Sequence, residues 1–240
     1  MKRAWLLVLP FLLTACPALH MRVDNERIAK IRTVAPFTFR SNRAVLPPVS
    51  SELSSTSDPW LLAGDAVLRS GIPGFVKALE NAERFKLVEP DRVLHAKSYA
   101  AFPAALSGME ATNSLLAPGG WRHVMANEAE PIANVLEEID ADAALITYWR
   151  FSLDMGATGP VGAMETATAH AHLRAWLVGR DGAIAMDDEI DTPSQEPLPI
   201  RNGRYDRAEI APAFDDIMIT CAVRLAADIS NAQSRAKEKG

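Results

Sequence analysis

His170 and His172 stand two residues apart in the stretch Thr166 to Val178, where small apolar and larger polar residues alternate. In an extended strand that spacing puts both imidazoles on one side, where they could share a metal ion. A third ligand would have to come from His20, His95, His123 or a carboxylate, and no local spacing supplies one. The pair therefore reads as part of a polar sheet face, with no metal site and no cofactor assigned. The same alternation sets Thr166, Thr168, His170, His172, Arg174 and Trp176 against Ala167, Ala169, Ala171, Leu173, Ala175 and Leu177. In the preceding strand, Leu145, Thr147, Trp149, Phe151 and Leu153 take the apolar side, and Tyr148 and Arg150 the other. Arginine and aromatic side chains concentrate at the energetic centres of protein interfaces. Tyr148, Arg150, His170, His172, Arg174 and Trp176 are accordingly the candidate partner-binding residues, and the histidines would make that face sensitive to pH at about 6.5.

Other reactive side chains carry less. Asp187, Asp188, Glu189 and Asp191 could attract calcium, but no glycine-punctuated loop of oxygen ligands surrounds them, so they read as a solvated strand end. Glu137, Glu138, Asp140 and Asp142 read as a helix exit and loop. Cys221 lies among Ile217, Met218, Ile219, Ala222 and Val223 with no nearby cysteine or suitably spaced histidine, which suits a small buried hydrophobe. There is no nucleophile elbow, no phosphate-cradling Gly-Lys-Ser/Thr loop, no His-Glu-x-x-His and no Cys-x-x-Cys. No catalytic residue is assigned, and the expectation is a protein that binds rather than transforms.

The chain that must position these residues has 240 of them, 48% hydrophobic and 23% charged, with a formal charge of −5. That balance excludes disorder, a coiled coil and collagen. It also lacks the basic excess of a nucleic-acid binder.

The first sixteen residues differ from the rest. Lys2 and Arg3 precede an apolar run from Ala4 to Leu13, broken only by Pro10. Ten helical residues rise only ~15 Å, half of a ~30 Å hydrocarbon core, so the run reads as a secretory leader over 1–15 and not as a membrane span. Leu13-Thr14-Ala15-Cys16 resembles the lipobox of bacterial lipoproteins. That resemblance implies that Cys16 becomes the first mature residue and carries a diacylglycerol, with further acylation giving a stable anchor. Pro17 follows where an aspartate would resemble an inner-membrane retention signal, so the resemblance implies the outer membrane.

Along the remainder, 16–26 reads as a tether, 27–230 as one folded domain and 231–240 as a charged tail. A strand region is expected from Arg27 to Phe39, and Pro47-Pro48 and Ser50 to Ser57 form a loop. Asp58-Pro59 opens a helix from Trp60 to Arg69, interrupted at Gly71-Ile72-Pro73-Gly74 before a second segment from Phe75 to Ala82. Phe85 to Glu89 is a strand. Asp91 to Asn127 is a long insert of short apolar pieces, with Pro103, Gly108, Pro118, Gly119 and Gly120. Ile132, Val135, Leu136 and Ile139 mark an amphipathic helix. Strands follow at Ala143 to Leu153, Thr166 to Val178 and Ile184 to Glu189, the last two joined by Asp181-Gly182, and a final helix runs from about Glu209 to Ile229. This order predicts a mixed sheet in one α/β (α+β) domain, with helices mainly on one face and the other face partly open.

The pattern resembles the periplasmic domain shared by the amino-terminal part of TolB, the curli-secretion lipoprotein CsgG and the activator LpoB. Val34-Ala35-Pro36-Phe37, Phe85-Lys86-Leu87-Val88-Glu89, Ala141-Asp142 before Ala143 to Ile146, and Arg180-Asp181-Gly182-Ala183 carry the likeness in order. The glycine that precedes Ala-Asp in that group is Asp140 here. The stretch Ala100 to Asn127 lacks the alternation of a pore-forming hairpin. The resemblance implies a lipid-anchored protein of the outer membrane whose domain faces the periplasm. It would serve as a non-catalytic accessory factor in envelope assembly or transport. Its expected partners are the membrane, through the anchor, and an envelope protein or a second copy, with no nucleic acid. The alternatives are a metal-assisted envelope hydrolase using the histidine pair and an oligomeric secretion component like CsgG.

Overall fold

The computed structural model of the chain describes residues 20–42, 44–45, 62–81, 85–104, 115–155, 165–200 and 207–238. In chain order these form β1 (His20–Val23), α1 (Asn25–Ile28), β2 (Thr33–Ser41), β3 (Ala44–Val45), β4 (Leu62–Ala63), α2 (Gly64–Glu80), β5 (Lys86–Leu87), α3 (Pro90–Leu94), a 3₁₀ turn (Tyr99–Ala101), α4 (Ala129–Glu138), β6 (Ala143–Met155), β7 (Glu165–Gly179), β8 (Ile184–Pro193), β9 (Leu198–Ile200) and α5 (Arg207–Glu238). Seven strands make one mixed sheet in the order β1-β8-β7-β6-β2-β5, with β9 also on β7. The first four of that order pair antiparallel; β6, β2 and β5 pair parallel. This is the α+β architecture and mixed sheet expected from the order of elements. Cys16, the 1–15 leader, the Pro47-Pro48 loop and the Asp58-Pro59 helix start lie outside the described residues.

Hydrophobic alternation sets which side of each strand is covered. Ala167, Ala169, Ala171, Leu173, Ala175 and Leu177 are all buried, and small enough to let α5 lie close along β7. Against them pack Phe214, Met218, Cys221 and Leu225 of α5 and Phe75 and Leu79 of α2. Aromatic rings meet edge to face through this layer, with centroids 5.7 Å apart for Phe39 and Phe75, 5.3 Å for Phe75 and Trp149 and 5.2 Å for Phe151 and Phe214. A second core lies on the opposite side, where Phe37, Ala144, Ile146 and Val178 meet Ile132, Val135 and Leu136 of α4 and Val93, Tyr99, Phe102 and Val124 of the insert. The Tyr99 hydroxyl donates to Phe37 O at 2.5 Å and accepts from Arg122 N at 2.9 Å, which ties the insert to β2.

Four expectations change. The tether does not extend over 16–26: His20–Val23 pairs with β8, from His20 opposite Glu189 to Val23 opposite Met186, and so covers what would be a bare sheet edge. Asp24 then caps α1 by accepting from Glu26 N and Arg27 N, so the strand region begins at Thr33 and not at Arg27. The interruption at Gly71-Ile72-Pro73-Gly74 is absent, because α2 runs through it. Tertiary packing overrides propensity there: a Cβ on Gly71 would stand 2.3 Å from Met218 Sδ, and one on Gly74 3.1 Å from Ile219, so these glycines let α5 approach. Finally, 231–238 belongs to the fold and not to a charged tail. Helix α5 continues to Glu238 with Ala232 and Gln233 buried, and Gln233 Nε2 donates to Ile31 O at 2.9 Å.

Candidate functional site

The hairpins β6–β7 and β7–β8 carry the polar face. Register puts Tyr148 directly opposite Arg174, and Arg150 opposite His172. On the other side of β7, Glu189 stands opposite Arg174 and Asp191 opposite His172. Directly opposed residues share a face, so Tyr148, Arg150, His170, His172 and Arg174 are brought together as the alternation implies. Asp187, Glu189 and Asp191 join them, whereas Asp188 points to the other side.

The side chains pair within the face. Arg174 makes a fork on Asp187, with Nε to Oδ1 at 3.1 Å and Nη2 to Oδ2 at 2.9 Å, and lies 3.5 Å from Glu189 Oε1. The Asp187 carboxylate holds the guanidinium above its ordinary value, because its hydrogen bonds favour the charged form. The guanidinium also sits 4.8 Å from the centre of the Trp176 ring. His170 Nε2 is 3.2 Å from Asp154 Oδ2. Arg150 is exposed and takes part in no ion pair among the described residues.

Trp176 differs from its companions. It is half-buried against the second core, opposite Ile146, so the insert and α4 close this end of the face. The division falls between Ile146 and Tyr148: the covered end is packing, and the far end is the candidate surface. Among the described residues no group of three or more His, Cys, Asp or Glu is placed to hold a metal ion. Cys221 is buried, with Sγ 3.4 Å from Thr192 Oγ1, and burial pushes its thiol up to about 11. A thiol so held is a poor nucleophile at neutral pH.

Two features escaped the sequence reading. Arg40 belongs to this face because β2 carries a bulge: Pro36 pairs with Leu145 but Thr38 with Ile146, leaving Phe37 unmatched. The extra residue reverses the parity, so Phe39 enters the first core while Arg40 lands opposite Tyr148. Nothing in the alternation announces that bulge. The second feature is Asp188, fully buried beneath α5 with neither carboxyl oxygen hydrogen-bonded among the described residues. Burial first, and then the Asp228 charge, push it up to about 6. The β7–β8 register slips between Leu177 and Val178, so counting along β8 from the Asp181-Gly182 turn puts Asp188 on the wrong face.

No family model matches the chain, and no curated protein matches it. Among solved structures, the hypothetical protein CT253 from Chlamydia trachomatis is similar with a TM-score of 0.37 and 10% identity, over 83% of this chain and 98% of that one. Protein XCC0632 from Xanthomonas campestris, of family DUF330, is similar with a TM-score of 0.34 and 11% identity, over 87% of this chain and 88% of that one.

Proposed function

We propose that this chain is a lipoprotein of the outer membrane, anchored through Cys16 with its domain facing the periplasm. It acts without catalysis, as an accessory factor that binds another envelope component through the far end of the β6–β7–β8 face. The observation that carries the reading is the juxtaposition of Tyr148, Arg150, His172 and Arg174 on the part of the sheet that lies outside both cores. Such side chains offer aromatic contact and charge-assisted hydrogen bonds. The anchor reading is supported by the order of basic start, apolar run and Leu13-Thr14-Ala15-Cys16.

Photo-cross-linking in intact envelopes tests the reading. A photoreactive residue in place of Arg150, and separately of His172, is expected to trap the same envelope protein. One in place of Val223, exposed on α5, is expected not to. Equal trapping from Val223, or none from the face, overturns the assignment.

A further inference from the structure

One guanidinium on this face is buried with no ion pair among the described residues. Arg40 is 3% exposed, and its Nε has no hydrogen-bond partner. Its Nη1 donates to Met125 Sδ at 2.8 Å. A thioether is a weak acceptor, so a buried cation is left with a poor partner, a costly arrangement. Met125, by contrast, is 43% exposed. The guanidinium therefore lies one flexible side chain below the surface.

The surroundings select the anion. Glu128 accepts from Met125 N at 2.6 Å and sits within electrostatic reach of Arg40. His123 is held below its ordinary value, first by burial and then by the Arg40 charge, so it adds no second cation at neutral pH. One cation beside one carboxylate suits a monoanion and disfavours a doubly charged phosphate. A planar guanidinium edge also matches a carboxylate. Arg150, in no ion pair among the described residues, adds a positive charge to the same face, which also carries Asp187, Glu189 and Asp191.

We infer that Arg40 is the receptor for a single carboxylate of the partner protein, which displaces the Met125 thioether and takes its place at Nη1. The inference rests on the proposed partner-binding role of this face and adds the chemistry of the group that docks there.

The test follows the Arg40 Nε–H and Met125 methyl resonances of the labelled full chain as acetate, phosphate or chloride is added at matched ionic strength. Acetate is expected to move both signals saturably, chloride neither, and phosphate to bind at least about threefold more weakly. Met125→Ala should tighten acetate several-fold by removing the cover. Arg40→Lys should weaken the Met125 response to acetate about tenfold. No saturable response of the unsubstituted chain to acetate overturns the inference. Tighter binding of phosphate overturns it too, and would assign the spot to a phosphate such as a lipid headgroup. The two proposals fail separately. A cross-linked partner without an acetate response removes the carboxylate receptor and keeps the face. An acetate response with no partner trapped keeps the receptor and removes the partner.

Discussion

Single residues show where burial and electrostatics oppose each other. Asp188 is fully buried, and its folded value of about 6 lies above the ordinary carboxylate range. The folded state therefore holds a proton that the unfolded chain releases between pH about 4 and 6. Stability from this group is present below the unfolded value and is lost as pH rises through 6, a difference on the order of 3 kcal/mol. Asp188→Asn, which removes the charge and keeps the shape, should raise the melting temperature at pH 7.5 and leave it nearly unchanged at pH 4. Melts of both proteins across that range check the sign. Asp228, also raised by burial, faces the same space, and a proton on either carboxyl gives the other a donor. Asp140 makes a second case. It is the one non-glycine residue with positive φ among the described residues, at 52°. Its carboxylate accepts from Arg180 Nη2 at 2.8 Å, but the ion pair is exposed. Asp140→Gly should be neutral within about 1 kcal/mol in denaturant titration, and Asp140→Val should cost about 1–2 kcal/mol through backbone strain.

At the scale of elements, turns and alternation were legible and packing was not. The Asp181-Gly182 turn is where the sequence put it, with Gly182 at φ 73° and its N–H donating to Gly179 O at 2.9 Å. A Cβ there would also stand 2.3 Å from Ala129 Cβ, at the start of α4. Gly182→Ala should therefore destabilise the fold by about 1–3 kcal/mol, read from unfolding in urea, by straining the turn and pushing it off α4. Strands β6, β7 and β8 were readable because one side of each is buried and period two survives in the residues. The unbroken α2 was not, because Gly71 and Pro73 signal a break, and only contact with Met218 of α5 explains Gly71; nothing in the structure explains the exposed Pro73. The extension of α5 past Ile229 was hidden by the charged composition of its last turns. There, Ala232 and Gln233 continue the buried stripe, with Ala236 partly buried against the same core.

For the whole molecule, the two cores decide which part of the sheet is free to bind. The first, under α2 and α5, covers one side over most of β6 and β7; the second, under α4 and the insert, covers the other as far as Ile146 and Trp176. A candidate site read as six residues thus divides into a packed border, Trp176, and an uncovered part beyond it. The sequence could not draw that line, since the residues that cover Trp176 lie dozens of positions away in the least patterned segment of the chain. Replacing Trp176 would mix loss of packing with loss of binding, whereas Arg150 is exposed and Tyr148 belongs to neither core. The most direct measurement is therefore the affinity of the trapped envelope partner for the double variant Tyr148→Ala with Arg150→Ala, alongside its melting temperature. At least about tenfold weaker binding is expected, with the fold retained. A folded double variant that binds its partner at full affinity would contradict the proposed role of this face.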